Sequence, residues 1–204
     1  MVTDNQMNPN PETIAVEMTE IEANTPTVPE TPKLPSRNPD DWLTEHFSKK
    51  EMTRSDTAAR HGVANIPNKQ EWKNILFSAN QMEKIRAYAC SKTGRDVGVI
   101  VTSCFRSEEV NRLVGGASKS AHRFGLAVDF DLVGFTSKQT ADLVKEMSDK
   151  GLIKYDQLIL EFPKNGAGAW VHIGFKQNER DYRHQELTAN KVRGRTVYSE
   201  GLIA

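Results

Sequence analysis

The sequence predicts an α+β fold with a small, mostly antiparallel sheet and flanking helices. Two observations lead to this prediction. Amphipathic helical segments and apolar, β-branched segments follow one another in mixed order, and an Asn-Gly turn signal separates the last two apolar segments. The length of 204 residues is enough for one domain with a full hydrophobic core and an additional tail.

Two segments have the spacing of amphipathic helices. The longer runs from Glu71 to Thr93, with apolar residues three or four positions apart and Gly94 as a natural stop. The second covers residues 137–150, where Ser137 is placed as the N-cap. A shorter helix is predicted to begin after Ser107 and to end at a pair of glycines.

Four segments have the composition of β-strands. Residues 97–105 (VGVIVTSCF) are apolar and β-branched, which favours a central buried strand. Residues 126–134 (LAVDFDLVG) form the second predicted strand. Residues 155–162 (YDQLILEF) and 169–175 (AWVHIGF) flank the Asn-Gly turn, so we expect them to pair as a hairpin.

The composition divides the chain into three parts. Residues 1–40 are rich in proline and polar residues, and a segment of this kind buries too little apolar surface to offset its chain entropy. We therefore predict a disordered, Pro-rich arm at residues 1–40, followed by a folded domain at residues 41–176. Residues 177–204 are charged and poor in aromatic residues, and we expect a solvated C-terminal tail there.

The overall composition argues against two classes of function. The 27 basic residues are balanced by 27 acidic ones, so the chain lacks the positive charge of a nucleic-acid-binding protein. No apolar run approaches the roughly 20 residues that span a bilayer, which argues against stable membrane insertion. The first residues lack the pattern of a secretory signal peptide, so we expect synthesis as a soluble cytoplasmic chain. Cys90 and Cys104 are too few for a disulfide framework, and we predict two buried thiols.

Three residues in the second half of the chain have the chemistry of metal ligands. His122 and Asp129 are seven residues apart with a glycine between them, which places an imidazole at a loop end and a carboxylate on the following strand. His172 lies in an otherwise apolar strand, where an imidazole loses hydration unless a partner uses its lone pair. Zinc binds such nitrogen and oxygen ligands, and a catalytic site needs three of them. By strand alternation, Asp131 shares a sheet face with Asp129 and competes with it as the carboxylate ligand.

From about Phe47 to Phe175 the chain resembles the zinc D-alanyl-D-alanine carboxypeptidases and the related L-alanyl-D-glutamate endopeptidases, which include many bacteriophage endolysins. The resemblance is carried by SCFRSEEVNRLVGG, by a Ser-x-His sequence followed by G-x-A-x-D, and by a terminal W-V-H strand. It implies a hedgehog-like peptidase fold over the domain and a Zn²⁺ ion bound by His122, Asp129 and His172. On this ground Asp129 is preferred over Asp131.

The general base departs from the most common pattern of that family. Many members carry an acidic residue three positions before the last histidine, but Ala169 stands at that position here. Glu161 lies on the strand that the predicted hairpin folds against the His172 strand, so its carboxylate can come close to zinc-bound water. Related sequences with a W-V-H ending use an upstream glutamate, and the resemblance therefore favours Glu161 as the general base.

The resemblance also implies two residues that contact substrate. Arg106 matches an arginine that the family places near the substrate, where its donors suit a carboxylate or the oxyanion of a tetrahedral intermediate. The alternative for Arg106 is an ordinary surface salt bridge. Ser120 stands two positions before His122, and it either binds substrate or orients a ligand, with loop shaping as the alternative.

Together these residues predict a zinc metallopeptidase acting on peptidoglycan stem peptides, as a D,D-carboxypeptidase or an L-alanyl-D-glutamate endopeptidase. With no secretory signal predicted, we expect a phage lysis enzyme released through a holin, or a wall-degrading enzyme carried in the virion. The alternative is a catalytically inactive structural or interaction protein built on the same zinc-binding fold, which the missing acid at Ala169 would suit.

Overall fold

A computed structural model describes residues 38–203 of the chain, apart from the side chains of residues 165–167. The helices are α1 (Lys49–Thr53), α2 (Asp56–His61), α3 (Lys69–Thr93), α4 (Glu108–Leu113) and α5 (Ser137–Asp149). The strands are β1 (Val99–Ser103), β2 (Ala127–Leu132), β3 (Gln157–Glu161), β4 (Trp170–Gly174), β5 (Gln185–Val192) and β6 (Arg195–Glu200). Short 3₁₀ helices lie at Pro39–Asp41, Ala121–Phe124, Pro163–Gly168 and Glu179–Asp181. Most of the predicted arm, residues 1–37, lies outside the described residues.

The strands form one sheet in the order β1-β2-β4-β3-β5-β6. All neighbouring strands are antiparallel except β3 and β5, which run parallel. A mostly antiparallel sheet accompanied by helices confirms the predicted α+β class. The β3–β4 pair confirms the predicted hairpin, although a 3₁₀ helix at Pro163–Gly168 joins the two strands instead of a two-residue turn.

The two faces of the sheet have different surroundings. Side chains alternate along a strand, and Phe130, Leu160 and Ile173 lie on the face that packs into the hydrophobic core with α3 and α5. The residues that alternate with them, including Asp129 and His172, line a groove on the other face. Strand alternation therefore separates the core of the protein from its candidate site.

Local sequence explains both ends of α3. The side chain of Asn68 accepts hydrogen bonds from the backbone N–H groups of Gln70 and Glu71, and the Glu71 carboxylate accepts one from the N–H of Asn68. Gly94 ends the helix in the left-handed conformation, at φ 66°. The predicted helix is thus confirmed and begins two residues earlier than expected. Neither α3 nor any other helix within residues 38–203 is long and apolar enough to cross a bilayer.

The caps of the shorter helices were predicted with mixed success. Ser107 caps α4 as predicted, because its hydroxyl accepts a hydrogen bond from the backbone N–H of Val110. The predicted cap of α5 was one residue off: Thr136 caps the helix, and Ser137 is its first residue. Thr136 and Gln139 each accept a hydrogen bond from the other's backbone N–H, forming a capping box that includes Gln139 and excludes Ser137.

The prediction of a central position for the first strand is wrong. Strand β1 lies at the edge of the sheet and pairs only with β2. Ile100 in the middle of β1 is 54% exposed, which shows that the apolar run is not buried on both faces. Cys104, just after β1, is a free, buried thiol as predicted, whereas the free thiol of Cys90 is only half-buried.

The expected solvated tail contains two strands of the sheet. β5 pairs with β3, and β6 pairs with β5, so residues 185–200 extend the sheet. Strand pairing uses backbone hydrogen bonds, which a charged and aromatic-poor sequence still supplies. Thr188 and Ala189 in β5 are fully buried, and only these two small side chains of β5 and β6 enter the interior completely.

Candidate metal centre

Three side chains from separate elements meet on the open face of the sheet. His122 lies in the 3₁₀ helix Ala121–Phe124, Asp129 in β2, and His172 directly opposite Asp129 in β4. The Nε2 atom of His122 is 3.1 Å from Oδ1 of Asp129 and 3.2 Å from Nδ1 of His172. The Nδ1 atom of His172 is 2.8 Å from the same Asp129 oxygen.

These separations suit a single metal ion. Two ligands about 2.0 to 2.1 Å from a tetrahedral zinc ion are about 3.3 Å from each other, close to the observed distances. Within residues 38–203, His122, Asp129 and His172 form a group of metal-binding side chains whose ligand atoms all lie within 4.8 Å of one another. Asp131, the competing carboxylate, is not part of this group. Three protein ligands leave a coordination position free for water or substrate.

The ring of His122 is oriented by a backbone carbonyl. Its Nδ1 atom is 2.7 Å from the carbonyl oxygen of Cys104, and a carbonyl can only accept, so Nδ1 carries the proton. The lone pair is then on Nε2, which faces Asp129 and His172. Histidine ligands in metal sites are commonly fixed in this way by a second hydrogen bond.

Helix α3 holds the backbone around His122 in place. The side-chain amide of Asn74 donates to the carbonyl oxygen of Phe124 at 2.8 Å, and the hydroxyl of Ser78 donates to that of Gly125 at 2.8 Å. Both polar side chains are buried in an otherwise apolar helix face. The long helix therefore fixes the loop that carries the first ligand.

Steric constraints explain why a glycine lies between His122 and Asp129. Gly125 has φ 68°, and a Cβ atom at this position would lie 2.6 Å from Cγ1 of Ile75 and 3.1 Å from the carbonyl oxygen of Glu71. Only a residue without a side chain fits this close approach of the loop to α3. The glycine between His122 and Asp129 is therefore required for the packing of the loop against α3.

The surroundings favour the protonation states that a metal needs. Burial lowers the pKa of His122, even though the neighbouring Asp129 acts to raise it. Burial would raise the pKa of Asp129, but the charge and hydrogen bonds of His122, together with those of His172, hold it well below its usual range. A neutral imidazole and an ionised carboxylate are the forms that bind metal ions.

Arg106 lies beside the three candidate ligands. Its guanidinium donates to Oδ2 of Asp129, while its Nε donates to the hydroxyl of Ser103 at 2.8 Å. Its backbone N–H donates to the carbonyl oxygen of His122 at 3.1 Å. The Arg106 side chain is 19% exposed, so its ion pair is not the surface salt bridge of the alternative interpretation.

All six residues singled out from the sequence line one groove of about 1290 Å³. They comprise the three candidate ligands together with Arg106, Ser120 and Glu161. Ser120 directly precedes the 3₁₀ helix of His122, and its side chain makes no capping hydrogen bond there. The groove also contains residues of β5 and β6, including Lys191 and Tyr198, which were not predicted from the sequence because that segment was expected to be solvated.

Glu161 lies at the end of β3, opposite Trp170 in β4. Trp170 is two residues before His172, so the side chains of Glu161 and His172 project from the same face of the sheet. Burial, followed by the negative charge of Asp129, raises the pKa of Glu161 to about 7. Ala169 is buried and supplies no carboxylate, which makes Glu161 the acidic side chain of β3 and β4 in the groove.

Comparison with known proteins identifies the family. Residues 45–159, more than half of the chain, match the family model described as peptidase M15. The matched segment includes Arg106, Ser120, His122 and Asp129, and it ends before Glu161 and His172. No curated protein matches the chain. Since the family model covers most of the domain and a His-Asp-His cluster able to hold a metal lies in the groove, the chain belongs to the zinc-dependent peptidase family M15.

Proposed function

We propose that the protein is a zinc peptidase that hydrolyses peptidoglycan stem peptides. The observation that carries this proposal is the convergence of His122, Asp129 and His172 in a groove that also contains Glu161. When bound by the three ligands, zinc would lower the pKa of a coordinated water and polarise the scissile carbonyl.

Glu161 supplies the acid–base chemistry in this proposal. It removes a proton from the attacking water and later delivers that proton to the leaving amine. The raised pKa of Glu161, about 7, suits a group that must both accept and release a proton near neutral pH. A cation bound at the neighbouring ligands would lower this pKa and favour the ionised, proton-accepting form.

Arg106 has two tasks in the proposed reaction. Its ion pair with Asp129 keeps the ligand carboxylate ionised and oriented. Arg106 lines the groove, and the guanidinium donors not used by Ser103 and Asp129 can stabilise the oxyanion of the tetrahedral intermediate or a substrate carboxylate. Ser120, on the loop before His122, provides a hydroxyl for substrate binding in the same groove.

The substrate and setting follow from the resemblance of the motifs to cell-wall peptidases. Enzymes with these motifs cut bonds that involve D-amino acids or the L-alanyl-D-glutamate link, and many act in phage lysis. We propose the same substrate class for this protein, as a D,D-carboxypeptidase or an L-alanyl-D-glutamate endopeptidase. Delivery through a holin or within a virion would bring the enzyme to the cell wall.

The proposal is tested with zinc-loaded protein and purified peptidoglycan. We expect muropeptide release that a chelator abolishes and added zinc restores, and mass spectrometry of the products identifies the cleaved bond. His122→Ala should lose both activity and bound zinc, whereas His61→Ala, an exposed histidine at the end of α2, should retain both.

The alternative function makes a different prediction in the same experiment. An inactive interaction protein, which the absence of an acid at position 169 would suit, binds zinc tightly and releases no muropeptide under any condition. Equal zinc content in the wild type and His122→Ala would instead contradict the assignment of the metal site.

A further inference from the structure

The hairpin of β5 and β6 forms one wall of the groove. Leu187, Lys191, Thr196 and Tyr198 all line it. This hairpin begins well after residue 159, where the match to the family model ends. It therefore belongs to the part of the groove that lies outside the segment matched by the family model.

One row of residues connects the hairpin to the candidate general base. Glu161 is the register partner of Ala189 in β5, and Ala189 is the partner of Tyr198 in β6. Ala189 is small and fully buried, so no bulky side chain separates Glu161 from Tyr198. Burial, followed by the negative charges of Glu161 and Asp129, raises the pKa of Tyr198, which is consistent with this proximity.

Lys191 follows Ala189 by two residues and projects from the same face of β5. With a strand spacing of ~4.8 Å and a rise of ~3.3 Å per residue, its Cα lies about 8 Å from that of Glu161 and about 16 Å from that of His172. The Lys191 side chain can therefore reach a substrate group a few residues from the cleaved bond.

Two contacts fix the position of the Lys191 ammonium. It donates to the hydroxyl of Thr196 at 2.9 Å and lies 5.4 Å from the centroid of the Phe162 ring. Phe162 is held in turn by Trp170, with ring centroids 5.1 Å apart. The charge is thus placed over the Phe162 ring, next to Glu161 in the chain.

The backbone of Phe162 is strained in a way that produces this arrangement. Its φ of 54° is rare for an aromatic residue, and such conformations persist where surrounding contacts enforce them. A regular strand would turn Phe162 away from the face of Glu161, yet both residues line the groove. The hydrogen bond from the Phe162 N–H to the carbonyl oxygen of Ala189, at 2.8 Å, holds the kink against β5.

The positive charge of Lys191 acts on Glu161 at a distance, lowering its pKa, but has no directly paired carboxylate among the described residues. Two other groove cations are directly paired, Arg106 with Asp129 and Arg183 with Asp156. Within residues 38–203, Lys191 forms no ion pair with a carboxylate, and neither does Lys119 on the opposite side of the groove. Lys191 differs from Lys119 in being fixed by a hydrogen bond and a ring contact. A positioned cation without a directly paired carboxylate is suited to an anionic ligand.

We propose that Lys191, positioned by Thr196 and Phe162, binds a carboxylate of the substrate peptide a few residues from the cleaved bond. This inference rests on the proposed peptidase function and specifies the substrate class as an anionic peptide. Lys191 acts in binding and transfers no proton in the chemical step.

The test uses the zinc-loaded protein and three synthetic pentapeptides of the sequence L-alanyl-γ-D-glutamyl-L-lysyl-D-alanyl-D-alanine. The first has all carboxylates free, the second has an amide at the glutamyl α-carboxylate, and the third has an amide at the C-terminus. For Lys191→Met we expect about a tenfold higher KM on the free peptide, as for loss of one charged hydrogen bond. Because the Lys191 charge lowers the pKa of Glu161, kcat is compared at about pH 9, where Glu161 is ionised in both proteins, and should be unchanged there. On the peptide that lacks the recognised carboxylate, Lys191→Met and the wild type should have the same KM.

Lys84→Met, on the exposed side of α3, is the matched control and should behave as the wild type on all three peptides. An unchanged KM for Lys191→Met, or equal increases on all three peptides, would overturn the proposal. If the wild type cleaves none of the peptides, the proposed function fails, and the inference is then decided by binding. NMR titration of the zinc-loaded protein should then shift the amide signals of Lys191 and Thr196 with the free peptide, and with only one of the amidated peptides. Identical shifts with all three would reject the carboxylate site.

Discussion

At the scale of single residues, the role of His122 depends on its neighbours. The carbonyl of Cys104 holds the proton on Nδ1, and burial lowers the pKa of the ring, so Nε2 presents a lone pair at neutral pH. Without that carbonyl, no acceptor would fix the proton on Nδ1. The suitability of His122 as a metal ligand is therefore a property of its position in the fold.

Glu161→Gln tests the residue proposed as the general base. The amide keeps the shape of the side chain but cannot accept a proton, so we expect kcat to fall by at least about a hundredfold. Zinc content should remain that of the wild type, because Glu161 is not one of the three clustered ligands. Both quantities are measured on the same preparation, by steady-state kinetics and by elemental analysis.

The control for this variant is Glu109→Gln, an exposed glutamate on α4 that lies outside the groove. It should have the kcat and zinc content of the wild type. Near-normal turnover by Glu161→Gln would remove Glu161 from the role of general base, and loss of zinc would show that it supports the metal site instead.

At the scale of elements, α3 organises the site although it contributes no ligand. Asn74 and Ser78 on its buried face donate hydrogen bonds to the backbone carbonyls of Phe124 and Gly125. These carbonyls lie between the two ligands His122 and Asp129. The distance between the first two ligands is thus set by the packing of a loop against a helix.

Gly125→Ala tests this coupling between α3 and the metal site. The added Cβ would meet Ile75 and the backbone of Glu71, so we expect the free energy of unfolding to fall by about 3 kcal/mol or more. Zinc affinity should fall with it, because the loop must shift away from α3. Urea unfolding and zinc titration of the purified protein measure the two effects.

Gly62→Ala provides a matched control. Gly62 has nearly the same φ, 63°, but a Cβ there would meet no atom within 4 Å. Gly62→Ala should lower the free energy of unfolding by only about 1 kcal/mol, because of the left-handed backbone alone. Zinc affinity should remain unchanged. Equal losses of stability in the two variants would contradict a steric requirement at Gly125.

At the scale of the whole molecule, the site combines elements that are far apart in the chain. The 3₁₀ helix of His122 and strands β2, β3, β4, β5 and β6 all contribute to one groove. The same sheet buries its other face against α3 and α5. Folding of the core therefore also assembles the groove, and stability and site chemistry are linked.

The pH dependence of stability of the metal-free protein tests this link. The pKa of Glu161 is raised from 4.5 to about 7 on folding, so its contribution to stability is fully present below pH 4.5 and is lost as the pH rises through 7. Between pH 4.5 and pH 8, we expect the free energy of unfolding of the wild type to fall by on the order of 2 kcal/mol relative to that of Glu161→Gln, after allowing for partial exposure. Urea unfolding in the presence of a chelator, from pH 4.5 to pH 8, measures this difference.

Comparison with Glu161→Gln is needed because His122 titrates in the opposite sense. Its lowered pKa favours the neutral form, so its contribution to stability is lost as the pH falls below 6.5. This contribution is common to both proteins and cancels in the difference. A difference in stability that does not vary between pH 4.5 and pH 8 would contradict the burial of an uncompensated carboxyl at Glu161.

The sequence by itself determined the features that depend on local interactions. The extent of α3, the cap at Ser107 and the identities of the strands around Asp129 and His172 follow from spacing, capping and composition within short segments. The sequence also singled out His122 and His172, whereas Asp129 was preferred over Asp131 only through the resemblance to a known family; the structure brings His122, Asp129 and His172 together.

Only the tertiary structure decided which strands pair when they are far apart in the chain. Strand order placed β1 at the edge of the sheet, and backbone pairing brought β5 and β6 beside β3 and extended the wall of the groove with Lys191 and Tyr198. The ion pair of Arg106 with Asp129 and the raised pKa of Glu161 also require the packed environment. The physical reason is that pairing register, burial and charge proximity are set by contacts between residues far apart in the sequence, which local patterns do not encode.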